Sequence, residues 1–488
     1  MKNPSLKRTV VMQRLSRLLA TKKVLVDPAA LLAEPFRPAP GGRVLAGGGP
    51  ARLYLLDQDC FARLRDLPEE VTAGDITECL EKTTLETLDP RFLPLDHPEG
   101  IISRFNSWFY LGKGEMAFAE GQVPTGLARD RHLIRAEATL VARLAALTGT
   151  PRPTMLKVGV GCDVEPVRVL LEELARLGGG LAERCSVVVS DLSPPLIAEA
   201  RRRAGLDPLL AEVLRQGRLR FEVLDARRLD GLGDDRFLII QSSYLYDSLP
   251  QRELARVGGR WYEFKARPML KNCSQRAEFA RVLMNDDLAG LQMVPTHRFG
   301  YLDWDTVLDP LAPEDVPHLS RLESVVPPEL GDVAVPLGDA LIAGFEAQLA
   351  HVVPGGVVQT FDLGIAGLGP LDPHLKPVFK GPHRICAALF LGQNFALARS
   401  VFLERGCGVE LTAPDRYLEE VWSGEEVICL DRLWEAQHKG DDALKGLFDG
   451  DFVSRYRGCL EGKGGSIFRR LAQGHFLTRP EGAALAAE

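Results

Sequence analysis

Two glycines and three aspartates have the spacing to do chemistry in this 488-residue chain. Gly159 and Gly161 lie in Leu156-Lys157-Val158-Gly159-Val160-Gly161-Cys162-Asp163, where a short apolar run breaks into a turn ahead of a helix-like stretch. The next apolar run, Ser186-Val187-Val188-Val189-Ser190, closes on Asp191, and a third, Leu219 to Leu224, closes on Asp225. Asp247 follows a fourth, Arg236 to Gln241, within Ser243-Tyr244-Leu245-Tyr246-Asp247-Ser248-Leu249-Pro250. Glycines let backbone approach a ligand closely, a helix start offers free N–H groups, and an acid accepts from ribose hydroxyls. The pattern therefore suits a nucleoside-containing cofactor.

The elements that must carry these residues are legible from periodicity. Met155 to Val160 reads as the first strand, and Pro166 to Leu177 as a helix whose Val167, Leu170, Leu171 and Leu174 share a face. Gly178-Gly179-Gly180 ends that helix, and Ser193 ahead of Pro194 starts the next one. Leu349 to Asp362 reads as a helix end, the turn Pro354-Gly355-Gly356 and a fifth strand. The acids then fall at the carboxyl ends of strands, where open parallel sheets bind ligands. A dinucleotide fold asks for Gly-x-Gly-x-x-Gly, but residue 164 is Val. The lysine–Ser/Thr pair of a P-loop is missing too. What remains is the order of the class I S-adenosylmethionine-dependent methyltransferases. Asp191 is then expected on the ribose and Asp225 beside the adenine amine, with Gly159, Gly161, Asp163 and Ser242 completing the cofactor contacts. The expected fold is α/β, a Rossmann-like doubly wound sheet with an N-terminal α+β extension and an insertion between strands four and five.

Bulk properties narrow the partners. The formal net charge of −7 argues against a general nucleic-acid binder, and no apolar run has the length of a membrane span. The nine cysteines form no C-x-x-C pair, so neither a zinc site nor a disulfide framework is indicated, and reduced thiols in the cytoplasm are expected. The histidines show no metal-ligand spacing. The first 26 residues carry seven basic side chains and no acid, which fits an amphipathic helix or an organellar presequence.

Four segments are expected. Residues 1–104 form an N-terminal module with strands at Val24–Val26, Arg43–Leu45 and Ala51–Leu56 and two short helices. It resembles the winged-helix-like PqqD-like peptide-recognition modules, or else packs as an extension. Residues 105–270 and 339–488 form the two parts of the core, and 271–338 an irregular insertion suited to covering a substrate or meeting a protein partner. The aromatic text from Phe105 to Glu120 either lines a pocket mouth or staples the N-terminal part to the core.

The order of segments resembles one family, the MidA-like methyltransferases, which include a mitochondrial complex I assembly factor that dimethylates a protein arginine. Ser243 to Pro250 is similar to the family's Asn-Glu-Phe-Phe-Asp-Ala-Leu-Pro, and Trp261-Tyr262-Glu263 to its Trp-x-Glu. Asp362-Leu363-Gly364 is similar to its Asp-Tyr-Gly, Gln393 to Ala398 to its Val-Asp-Phe helix start, and Gly464 to Phe468 to its closing Met-Gly-x-x-Phe-Lys. The resemblance implies S-adenosylmethionine as cofactor and a protein or peptide acceptor. Lys157 stands where the family has an acid, and Asp163 where it has a third glycine. At that turn Asp163 adds a Cβ and a charge, and it is able to pair with a sulfonium or amino group. Ser243-Tyr244 replaces Asn-Glu, removing a carboxylate that would hold or deprotonate a guanidinium. Asp247 is expected as general base and Tyr244 as a residue orienting the acceptor. Two readings stay open. One is a working methyltransferase, favoured by Asp191, Asp225 and the Pro-Gly-Gly turn. The other is a catalytically degenerate binding or assembly subunit, favoured by Lys157 and Asp163.

Overall fold

The computed structural model describes residues 5–19, 24–36, 43–44, 51–56, 61, 63–114, 131–271, 274–326, 328–365, 383–385, 388–390, 392–412 and 471–477. The glycines and acids lie on one of two units, made of Asn106–Leu249, Gly338–His374 and Ala388–Glu488. Its strands are β1 (Thr154–Val158), β2 (Ser186–Asp191), β3 (Leu219–Val223), β4 (Phe237–Ser243), β5 (Val352–Ile365), β6 (Gly408–Thr412) and β7 (Leu471–Leu477). They stand in the order β3-β2-β1-β4-β5-β7-β6. The first five are parallel, and β7 runs antiparallel to both β5 and β6. The chain steps outward from β1 through β2 to β3, then returns to β4 on the other side of β1. The order thus reverses between β1 and β4, the place where such sheets open a crevice at their carboxyl ends.

The apolar runs become central strands because both of their faces are covered. On one face Met155, Val187, Val189, Ile239 and Val357 pack with Ala138 and Val141 of helix α2 (Arg131–Thr148) and Leu170 and Leu174 of α3 (Glu165–Leu177). On the other face Leu156, Val158, Val188, Ile240 and Val358 pack with Leu341 and Phe345 of α5 (Asp339–Leu349) and Phe402 of α6 (Phe395–Glu404). Each such side chain contributes about 1.5–3 kcal/mol by leaving water. Helix α1 (Ile101–Lys113) takes up the first half of the aromatic stretch, while Phe118 lies outside the described residues. Helix α4 (Pro194–Leu206) starts on Ser193, whose Oγ accepts the Leu196 N–H at 3.4 Å.

The Pro-Gly-Gly turn is part of the β5 strand and bulges it. Phe237 of β4 faces Val352, yet Ile239 already faces Val357. Gly355 has φ +80°, and a Cβ on Gly356 would lie 2.7 Å from both the Leu238 carbonyl oxygen and Val352 Cγ1. Only glycine fits there.

The other unit, Met1–Phe105, Pro250–Leu337 and Leu375–Ala387, corrects the expected boundaries. Its main sheet runs Val333–Pro336, Glu253–Val257, Arg260–Leu270, Leu302–Pro310, Leu53–Leu56, Val24–Val26, Arg43–Val44. Residues expected to be a free-standing N-terminal module and residues expected to be an irregular insertion therefore share one sheet. Tyr54 is paired with Val307, and Leu53 with Leu308. The PqqD-like module does not stand by itself, because its strand Leu53–Leu56 completes its pairing with a strand some 250 residues later. The segment begins at Pro250 rather than 271, since Glu253–Val257 and the 11-residue strand Arg260–Leu270 already belong to it. Fully buried Arg267 pins these parts together. It donates to the Glu81 carbonyl oxygen at 2.6 Å and pairs with Asp305 at 2.7 Å.

Replacing Gly356 by alanine places a methyl group against backbone in a close-packed sheet. The expected outcome is a loss of about 1–3 kcal/mol, read as a lower thermal midpoint of the full chain. A midpoint equal to that of the unaltered protein contradicts the bulge assignment.

Candidate functional site

The turn after β1 is held from below by β2. The N–H groups of Gly159 and Val160 both donate to the Ser190 carbonyl oxygen, at 2.9 and 3.1 Å. Gly159 and Gly161 take φ of +71° and +66°, the left-handed region that costs other residues energy. Asp191 closes the turn, accepting the Gly161 N–H on Oδ2 and the Ser193 N–H on Oδ1, each at 2.9 Å. Burial pushes the Asp191 carboxyl up from its ordinary value, against the pull of the Ser193, Gly161 and Leu192 N–H groups. Asp163 is a local turn residue, its Oδ1 accepting the Glu165 N–H at 3.2 Å at the start of α3.

The loop after β4 meets this turn. A Cβ on Gly159 would come within 2.8 Å of Leu245 Cδ1. Tyr244 leaves the strand with φ +52°, rare for a bulky residue and costing about 1–2 kcal/mol. Its N–H still donates to the Phe361 carbonyl oxygen at 2.8 Å. The chain then turns through a short 3-10 helix, Tyr246–Ser248. Asp362, fully buried on β5, accepts three successive backbone N–H groups on one oxygen: Leu245 at 3.1 Å, Tyr246 at 2.7 Å and Asp247 at 3.3 Å. From α1, Asn106 donates to the Ser248 carbonyl oxygen at 2.7 Å.

Asp247 itself is fully buried, and neither of its carboxylate oxygens has a hydrogen-bond partner among the described residues. Burial first, then the charge of Asp362 beside it, holds its carboxyl well above the ordinary range. Tyr110 of α1 feels the same field. Burial and the charges of Asp247, Asp191 and Asp362 raise its phenol. The structure thus brings Asp191, Asp247 and Tyr110 together with Asp362, which the reading of the chain had placed only within a similar tripeptide. Tyr110 lay in the aromatic stretch and carried no separate signal.

Other expected site residues are spent elsewhere. The Ser242 hydroxyl donates to Thr360 Oγ1 at 2.9 Å inside the sheet, where Ser242 is buried. Asp225 accepts the Arg227 backbone N–H at 3.0 Å and pairs with the Arg227 guanidinium at 3.0 Å rather than waiting for an adenine. Burial works against its charged form, but the Arg227 bonds and the charges of Arg227 and Arg228 outweigh it and hold the carboxyl below its ordinary value. Tyr246 is a core residue. Its ring meets Phe345 edge-on at 5.2 Å, and Gln348 donates to its hydroxyl.

Lys157 is corrected most. Its ammonium donates to both Glu137 oxygens, at 2.7 and 2.8 Å, and to Gln241 Oε1 at 2.6 Å. The pair is buried on the α2 side of the sheet, so Lys157 forms a structural pair with α2 and takes no ligand acid away from the turn. Among the described residues no group of His, Cys, Asp and Glu is arranged to hold a metal ion, and no helix is long and apolar enough to cross a membrane. The Gly464–Phe468 segment lies outside the described residues.

No protein-family model matches the chain, and no curated protein does. Among solved structures it is similar to an uncharacterized protein from Burkholderia thailandensis, with 16% identity, a TM-score of 0.46, and coverage of 78% of this chain and 88% of that one. A second Burkholderia thailandensis structure, bound to S-adenosyl-homocysteine, has 17% identity, a TM-score of 0.44 and coverage of 73% and 79%. The plantazolicin methyltransferase BpumL, in complex with S-adenosyl-homocysteine, has 8% identity, a TM-score of 0.31 and coverage of 77% and 96%.

The Lys157–Glu137 pair yields a clean test. Lys157→Met leaves a buried carboxylate without its cation and is expected to cost about 3–5 kcal/mol. The double replacement Lys157→Met with Glu137→Leu removes both charges and is expected to recover most of that loss. Chemical denaturation of the three proteins measures both. A single variant as stable as the parent contradicts the pairing.

Proposed function

We propose that this chain is an S-adenosylmethionine-dependent methyltransferase, a divergent relative of the MidA-like family, acting on a protein or peptide. One observation carries the reading. Asp247, a buried carboxyl without a hydrogen-bond partner among the described residues, sits at the carboxyl end of a doubly wound sheet together with the Gly159–Gly161 turn and Asp191. Buried ionisable groups are kept where a ligand compensates them, and the ligand that compensates an acid is a cation. A nucleoside carrying a positive sulfur answers both features.

In this reading the glycine turn lets backbone approach the cofactor, and Asp191 receives the ribose hydroxyls on the lone pairs its two N–H bonds leave free. Bound there, the cofactor supplies an electrophilic methyl group on a sulfonium. The residues of the chain supply position and alignment. Tyr244, turned out of β4 by its left-handed backbone, lies where an acceptor needs orienting. Asp247 takes up the proton that a nucleophile loses. Gly161 and Asp163 extend the turn toward α3. The second unit, with Met1–Phe105 and Pro250–Leu337, supports a polypeptide acceptor by its size, far beyond what holding a metabolite requires.

A second reading, a methyltransferase fold kept for binding or assembly, draws on Asp225, which its own loop already satisfies through Arg227. Titration calorimetry decides between the two. S-adenosylmethionine is expected to bind the full chain, and Asp191→Ala to weaken it about 10- to 100-fold, the worth of hydrogen bonds to a charged group. No heat at millimolar cofactor removes the enzyme reading. For the acceptor, incubation of the source proteome with methyl-labelled cofactor and this protein is expected to place label in a polypeptide. Label confined to small molecules contradicts that assignment.

A further inference from the structure

We propose, on the footing of that cofactor reading, that Asp247 and Asp362 form a proton-holding pair that tells a sulfonium from a neutral thioether. The pair gives up its proton when the cationic ligand binds and keeps it when the uncharged one does.

The two carboxyl groups have unequal surroundings. Asp362 is fully buried, and its Oδ2 accepts the N–H groups of Leu245, Tyr246 and Asp247, a setting that favours the ionised form. Asp247 is equally buried, neither of its oxygens finds a well-aligned donor among the described residues, and the Ser248 backbone N–H alone weighs against burial and the Asp362 charge in raising its carboxyl. Two ionised carboxylates side by side out of water repel, so one proton stays between them, as in other carboxylate dyads. The group that carries it is Asp247, whose hydroxyl then has Asp362 as acceptor. Among the described residues, Tyr110 from α1 and Tyr246 from the same turn also face the pair, and burial together with these acids raises both phenols. Asp191 from β2 reaches Tyr110 and adds negative charge.

Such a pair responds to charge. A fixed cation entering the crevice does what the shared proton did, and the proton leaves to solvent. A sulfonium offers no hydrogen-bond donor, and among the described residues Asp247 has no well-aligned donor to lose in turning toward it. A thioether brings no charge, so the proton stays. S-adenosylmethionine and S-adenosylhomocysteine differ at this one sulfur, and the pair therefore sets donor against product by electrostatics rather than by shape.

Titration calorimetry of the full chain at about pH 6.5, where α-amino groups stay protonated, counts the protons released when run in two buffers of different ionisation enthalpy. The expected result is about one proton released per S-adenosylmethionine and about none per S-adenosylhomocysteine. Affinity for the first then rises about tenfold per pH unit, while affinity for the second stays level. Asp247→Asn, of the same shape but with no proton to give, is expected to make the two counts equal. The ligand-free protein gives a second signature. Because the folded pair holds a proton that the unfolded chain gives up above about pH 4, stability falls as pH rises from there, and Asp247→Asn flattens that fall relative to the parent. Equal proton counts for the two ligands on the unaltered protein overturn the pair's role and leave the cofactor reading standing. Binding of neither ligand overturns both.

Discussion

Asp362 holds the site together by accepting, on a single oxygen, the N–H groups of three consecutive residues. The chain leaves β4 through Tyr244 in a backbone conformation that costs a bulky residue about 1–2 kcal/mol. Charge-assisted hydrogen bonds of about 1.5–3 kcal/mol each offset that strain and fix the turn that follows. Three consequences come from that one anchor. Leu245 is laid over Gly159, Tyr246 is driven into the core against Phe345, and Asp247 is carried below the surface, without a well-aligned donor among the described residues. Gln393 completes the clamp from the far side, donating to the Tyr246 carbonyl oxygen at 2.6 Å. Position, strain and buried charge at the site thus share one cause.

The parallel half of the fold was legible in the sequence because its signals are local. Runs such as Val187-Val188-Val189 and Leu238-Ile239-Ile240 are buried on both faces, and their ends carry the acids. The antiparallel unit was not legible, for the opposite reason. The strand Leu53–Leu56 is four residues long, and its partner Leu302–Pro310 lies about 250 positions away, inside text dominated by Pro, Asp and Leu. No periodicity in either segment points to the other. The long strand Arg260–Leu270 was hidden because charged residues alternate along it, and their partners come from other segments. Lys265 meets Asp309, and Arg267 meets Asp305.

Lys157 shows how a residue read alone misleads. In the sequence it stood as the loss of an acid beside the glycine turn, evidence for a degenerate site. In the fold a strand sends alternate side chains to opposite faces, and residue 157 points with Met155 toward α2, where Glu137 waits. The acid and the base are both present, buried and paired. A buried pair of this kind specifies which helix packs on the strand more than it stabilises the whole. The ion pair gives Lys157 a structural role, while Asp163 still stands where the family has a third glycine.

What separates the acids at the strand ends is their counter-charge. Asp225 is neutralised by its own loop through Arg227 and Arg228, so it adds little field to the crevice. Asp247 and Asp362 are buried and Asp191 is half-buried, and both Asp191 and Asp362 accept backbone N–H groups. Backbone dipoles stabilise one ionised carboxylate comfortably, but three acting on a single phenol raise the negative potential there. On the reading proposed above, a held proton offsets that potential and a bound cation would relieve it. The same electrostatics that make this corner of the fold costly would then select the charge of what binds there.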